Sequence, residues 1–309
     1  MKKRFYMPLA LAAIAVMAGG CTASDPDNPK DISEAITDGG DDDGNGNGST
    51  TKNPLEDVIL TGYSSNGSCS FNYDAFEQLV EANLDFYRSD RPNKVVNVKF
   101  GYGTGMSLPI AMTWEYNDYL MNQTVEYRHV FSSLDEITFD ADKCFVSAKY
   151  ATEYVDYDYS GNGLNKPEAV RTYADVKCEY DSDKHLVKIT VGDKSYEQKW
   201  ENGDLIEINS PYYGKSTIMY GEIVNRYGQW DPTLPFMGFL QAFGWFGKAP
   251  EHFPVGINTC FNPALAESGE TPSNYGLDYC LDYRGVITQS KWIFGVGNEM
   301  YVDYQYITK

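Results

Sequence analysis

"YDSDKHLVKI", Tyr180 to Ile189, sets two aspartates and a histidine at alternate positions directly ahead of an apolar alternation. Asp181, Asp183 and His185 are residue types that ligate metals, yet the same polar residues also form the corner of a β-hairpin. A second copy of the stretch separates the two readings. "FDADKCFVSA", Phe139 to Ala148, aligns with it without gaps 41 residues earlier. Both aspartates, the lysine and a valine are identical, while Cys144 stands where His185 stands. A ligand set would have to keep its histidine, whereas a corner asks only for polar turn formers, so the stretch reads as a corner.

Working outward, looser relatives follow at Trp200 to Ile208 and at Asp282 to Ile287, each an aromatic or acidic residue, a short polar turn and an aliphatic alternation. Val176, Cys178 and Tyr180 share a face before the quoted turn, and Val187, Ile189 and Val191 share one after it. Upstream, Val96, Val98 and Phe100, then Met112, Trp114 and Tyr116, repeat the period of two. His129 alternates with Val125, Tyr127 and Phe131, which reads as a histidine on a core face. The expected fold is mainly β: an antiparallel up-and-down meander, curled or barrel-like, with hairpins in chain order.

Two segments depart from that rhythm. Phe76, Leu79, Val80, Leu84 and Tyr87 recur at helical spacing behind a possible Asp74/Glu77 capping box, so one N-terminal helix is expected there. "WDPTLPFMGFLQAFGWFGKAPEHFP", Trp230 to Pro254, is apolar and aromatic but too short in its apolar centre to span a bilayer. Near residues 233–246 it reads as a short helical or loop plug for one end of the sheet, the alternative being an exposed aromatic loop.

The N-terminus carries Lys2, Lys3 and Arg4 ahead of an apolar run from Phe5 to Met17, the layout of a secretory signal. "AGGC", Ala18 to Cys21, resembles the lipobox of bacterial lipoproteins, with Ala18 in place of the usual leucine. The resemblance implies a signal peptide over 1–20, acylation of Cys21 and an anchor in the membrane through lipid. Removal of 1–20 leaves 289 residues with 22 cations against 44 acids, a net charge of −22. Nucleic acid and anionic lipid surfaces need clustered Lys and Arg, so neither fits as a partner. From 21 to 52 the chain is acidic and glycine-rich, the composition of a solvated tether. The acidic "SDPD" after Cys21 resembles the signal that sends lipoproteins of Bacteroides-type bacteria to the outer cell face. Residues 53–309, rich in Tyr and Phe, then form a single β-rich domain. Aromatic residues at 15% of the chain are far too many for disorder.

The quoted hairpin, "YEQKWENGDLIEI", "LPFMGFL" with "FGKAPEHFP", and the closing "LDYRGVITQSKW" and "YVDYQYI" together resemble a domain of unknown function of gut Bacteroides lipoproteins described as porin-like (DUF4595). The resemblance covers 172–309 and implies a long up-and-down sheet, with no activity or catalytic residues to carry over. A lipid-facing barrel needs an uncharged outer face. Lys177, Glu179, Lys188 and Glu207 instead alternate with apolar residues, as in a sheet with one buried and one solvated face.

The chemistry-bearing residues point to binding more than to catalysis. No nucleophile elbow, zincin helix or phosphate loop is present, and no zinc spacing links the cysteines and histidines. Asp156, Asp158 and Ser160 in "DYDYSGNGLNKPE" have calcium-loop spacing without a closing glutamate at the last position; no other cofactor is expected. Cys260 and Cys280 flank a Pro- and Gly-rich loop and are the first choice for a disulfide in an oxidising compartment. Trp230, Trp245 and Phe246 are the expected ligand-binding aromatics if the chain stacks sugars. The leading expectation is a non-catalytic, surface-exposed outer-membrane lipoprotein binding a glycan or an envelope or host partner. Two alternatives remain: a surface glycoside hydrolase using paired carboxylates, and a structural component of the envelope.

Overall fold

The computed structural model describes residues 58–308, apart from 66, 87–91, 212–213, 232–237, 260–272 and 296–297. The signal, Cys21, the tether and Cys260 lie outside the described residues. Sixteen strands follow one another: β1 Val58–Ser64, β2 Ser68–Tyr73, β3 Leu79–Phe86, β4 Lys94–Tyr102, β5 Pro109–Tyr119, β6 Tyr127–Phe139, β7 Phe145–Tyr157 and β8 Thr172–Tyr180. The second half holds β9 Leu186–Val191, β10 Lys194–Glu201, β11 Asp204–Ser210, β12 Gly214–Val224, β13 His252–Thr259, β14 Ser273–Leu281, β15 Ile287–Gly295 and β16 Asn298–Thr308. Each pairs antiparallel with the next, and β16 returns to pair with β1, closing a barrel. Val58 faces Thr308 across that seam, and the Thr61 hydroxyl donates to the Gln305 carbonyl at 3.2 Å. Closure leaves no unpaired sheet edge.

The period of two sends alternate side chains inward, and those are the apolar ones. Trp114, Tyr150, Val176, Ile189, Leu205, Ile257, Leu277 and Val302 from eight strands belong to one continuous buried core. Leu205, Ile257 and Ile287 are wholly buried, each worth about 1.5–3 kcal/mol relative to exposure. Outward side chains carry opposite charges across neighbouring strands: Lys149 with Asp175, Lys188 with Glu179, Lys215 with Glu207 and Lys291 with Glu299. The barrel thus has an apolar core inside and carries ion pairs on its outer face.

One corner recurs. Asp140, Asp158, Asp181 and Asp282 each accept, through Oδ1, the amide N–H groups two and four residues on. The residue three on takes a positive φ: Lys143 at 65°, Gly161 at 76°, Lys184 at 71° and Gly285 at 85°. The side chain thus satisfies amides that the ladder leaves open and holds the chain in a sharp reversal.

Asp74 forms the same corner, which overturns the expected N-terminal helix. Its Oδ1 accepts the amides of Phe76 and Gln78, and Glu77 has a φ of 60°. What resembled a capping box is a reversal between β2 and β3, with Phe76 at its exposed tip. Ala82 and Leu84 are buried two apart, opposite Phe71 and Cys69 on β2 and Val98 and Val96 on β4. Pairing on both sides of β3 gives its backbone groups ladder partners, and that outweighs the local helical spacing.

His129 is a second correction. Cross-strand partners share a face, and Met112, Trp114 and Tyr116 point inward opposite Leu134, Ser132 and Val130. His129 and Phe131 therefore point outward, opposite Asn117 and Glu115. The imidazole Nδ1 lies 2.9 Å from the Asn117 side-chain oxygen.

Candidate functional site

Because strands alternate in direction, the connections β2–β3, β4–β5, β6–β7, β8–β9, β10–β11, β12–β13 and β14–β15 gather at one rim, together with the start of β1 and the end of β16. The long connection between β12 and β13 folds into this mouth. Asn225 clamps its two ends, donating to the carbonyls of Gln229 at 2.8 Å and Pro250 at 2.9 Å. Gln229 reaches the far wall, donating to the Tyr306 hydroxyl and accepting from the Ile287 amide. A 3-10 helix, Gly238–Phe243, forms the plug expected from the sequence. Beyond it, the Trp245 carbonyl accepts the Phe145 amide at 2.7 Å, Gly247 bridges to His185, and the Lys248 amide donates to the Lys184 carbonyl. The plug is thus bonded to the corners that "YDSDKHLVKI" and its near copy form.

Trp230, Trp245 and Phe246, the expected sugar-stacking aromatics, are parts of this plug, and Trp245 is half-buried. Trp230 and Phe246 are buried, the first edge-on to Trp200 and the second stacked on Phe145 at 5.6 Å. Trp245 packs on Phe100, Phe139 and Phe243. Beneath them, Met112, Trp114, Leu134 and Ile189 help line an apolar gap of about 30 Å³, which admits little more than a methyl group or two. Against β14 and β16, Asp231 is buried and accepts from the hydroxyls of Tyr304 at 2.6 Å and Tyr279 at 3.1 Å. Burial first, and the Asp231 charge second, push the Tyr279 hydroxyl well above the usual phenol range.

The three ligand-type residues of the opening stretch do lie together. One atom from each of Asp181, Asp183 and His185 falls within 4.8 Å of the others. Their bonds are those of the corner: Asp181 Oδ2 is 3.0 Å from His185 Nδ1, and the imidazole stacks on Trp200 with ring centres 4.2 Å apart. Burial raises the Asp181 carboxyl pKa, but the amide N–H and imidazole of His185 outweigh it and hold the carboxyl below the usual range.

At Asp156, Asp158 and Ser160, whose spacing is that of a calcium loop, the carboxylates have partners within the chain. Arg128 takes both Asp156 oxygens, at 2.6 and 2.9 Å, and lies over the Tyr154 ring. Asp158 is the corner acceptor for the amides of Ser160 and Asn162. A calcium ion needs six to eight oxygens, and these carboxylates already accept from arginine and backbone amides. The disulfide expected between Cys260 and Cys280 falls on Cys260, outside the described residues. Alternation along β14 turns Leu277 and Tyr279 inward and so puts Cys280 on the outside.

Sequence reasoning missed an aromatic surface near the far rim, on the outside of β6 to β8. Tyr173 is 68% exposed and sits opposite Ala151, which is too small to cover it. Phe131 is exposed on β6, and Arg171 pairs with Glu153 beside it. Glu115, 3.8 Å from His129 Nε2, completes a rim of charged groups around these rings. The signal was the pairing register, which exchanges the two faces of β6 and is not local in sequence.

Fold and site together define a closed, plugged antiparallel barrel. No protein-family model matches the chain, and no curated protein matches it. Among solved structures, a porin-like protein from Bacteroides uniformis is similar with a TM-score of 0.46 and 13% identity, over 80% of this chain and 98% of that one. A porin-like protein from Bacteroides vulgatus is similar with a TM-score of 0.36 and 12% identity, over 80% and 97%.

Proposed function

We propose that the chain is a non-catalytic lipoprotein, anchored through Cys21 in the outer membrane and exposed at the cell surface, whose barrel binds a glycan on the outside of β6 to β8. The observation that carries this reading is the exposed Tyr173 ring, with Phe131 nearby and the Arg171–Glu153 pair beside both. An exposed phenol offers an apolar face for a pyranose ring and a hydroxyl for its rim, while the charged neighbours supply donors and acceptors for sugar hydroxyls. The filled interior favours a binding module over a channel. The apolar lining of the gap beneath the plug offers no pair of carboxylates, which favours binding over glycoside hydrolysis.

The test is an array of host and dietary polysaccharides probed with the mature chain carrying Cys21→Ser, beside the same chain with Tyr173→Ala. Retention that falls at least tenfold with Tyr173→Ala, at an unchanged melting temperature, supports the reading. An array without hits, or retention indifferent to Tyr173, rejects it.

A further inference from the structure

The plugged rim is not uniform around its circumference. Following the strand order, the β14–β15 corner, the β16–β1 seam, the β2–β3 corner and the β4–β5 turn form one continuous arc. Each presents an exposed apolar side chain at its tip: Tyr283 at 97%, Ile307 at 52%, Phe76 at 83% and Met106 at 51% exposure. The facing arc, made of the β6–β7, β8–β9 and β10–β11 corners, presents charged and polar residues instead: Asp142 and Lys143, Asp183 and Lys184, and Asn202. The tips on the apolar arc are held rigidly. Asp74 and Asp282 fix their corners through paired amide bonds, and Gln78 ties the β2–β3 corner to the β4–β5 turn by donating to the Met106 carbonyl at 2.6 Å.

The chain enters the barrel on this arc. β1 begins at Val58, in the middle of the apolar arc, and the 37 residues from Cys21 to Asp57 join that point to the lipidated cysteine. We propose that this arc is the barrel's membrane-docking edge, its four tips inserting into the interfacial layer of the bilayer that holds the Cys21 lipid. The proposal rests on the lipid anchor of the preceding section. Covalent attachment keeps the rim at high effective concentration beside the bilayer, so a few shallowly inserted side chains suffice. Aromatic tips suit that layer, being apolar in body and, for tyrosine, polar at the end. The facing arc, whose tips are charged or polar, tilts away from the surface. This pose also turns the face around Tyr173, at the opposite end of the barrel, outward to solvent.

The experiment measures amide hydrogen exchange of the mature, Cys21-lipidated chain on vesicles of phosphatidylcholine and phosphatidylethanolamine, against the Cys21→Ser chain free in solution. On vesicles, exchange slows several-fold in segments 74–78, 103–108 and 282–286 and is unchanged in 140–144 and 181–185. Phe76→Ser combined with Tyr283→Ser abolishes the slowing while the lipid still carries the protein with the vesicles. Equal exchange in both arcs on vesicles overturns the docking edge and leaves the anchor standing. Failure of the lipidated chain to float with the vesicles overturns the anchor and the docking edge together.

Discussion

The Tyr304 hydroxyl donates to the Asp231 carboxylate across 2.6 Å inside the barrel, and the Tyr279 hydroxyl donates to the other oxygen of the same group. One acid carried by the plug loop is thereby joined to two strands of the wall, β14 and β16. A buried charge persists only where donors replace its water.

Asp231→Ala removes the acceptor that two buried phenols share, and is expected to lower stability by about 3 kcal/mol or more. Asp231→Asn keeps one acceptor oxygen and is expected to cost roughly half as much. Urea midpoints of the two variants check the order. The phenols add a pH dependence, because burial raises Tyr63 and Tyr279 well above their ordinary values. A raised phenol keeps its proton in the folded state while the unfolded chain loses it near pH 10, so stability is present below about pH 10 and lost as pH rises further. Absorbance at the phenolate band should show these two tyrosines ionising only with unfolding.

The corner aspartates set the acid side. The amide of Cys144 holds Asp140 below the usual carboxylate range, and the amide of Asn162 does so for Asp158. At Asp282, burial works the other way but is outweighed by the Val286 amide and Arg284. Carboxyls lowered in the folded state stabilise it above about pH 4, and that contribution is lost as pH falls through the folded values. Urea midpoints are therefore flat down to about pH 4 and fall below it. The double variant Asp140→Asn and Asp181→Asn keeps the Oδ1 acceptors but removes two titrating groups, so its midpoint falls less steeply. An unchanged slope would remove the corners as the source.

Gly247 is where the plug meets the wall. It has a φ of 80°, and an added Cβ would lie 2.2 Å from the Lys184 carbonyl oxygen. Gly247→Ala is expected to cost about 1–3 kcal/mol by straining the backbone or separating the plug from the β8–β9 corner. Trp245 emission should shift to the red if the plug lifts. By contrast, Gly161→Ala meets no neighbour within 4 Å and carries only the positive-φ penalty, so its loss of stability is expected to be smaller.

The order of strands, the meander and the corner were all legible in the residues, because each rests on local chemistry. Alternation fixes a strand, and an aspartate ahead of a positive-φ position fixes a reversal, so "YDSDKHLVKI" and "FDADKCFVSA" announced the same turn. The plug was legible too, as an apolar run too short for a bilayer. Three things were not. Helical spacing in Phe76 to Tyr87 was a coincidence that pairing on both sides overrode. The outward turn of His129 and Phe131 depended on which residues of β5 face them, since one step of register exchanges the faces of a strand. Closure of the barrel, the burial of Asp231 between Tyr279 and Tyr304, and the split of the rim into apolar and polar arcs join residues far apart in the chain. Local chemistry decided what each segment is. Only the non-local pairing of β1 with β16 and the folding of the plug into the mouth decided which side chains meet water, which meet each other, and which remain to meet a partner.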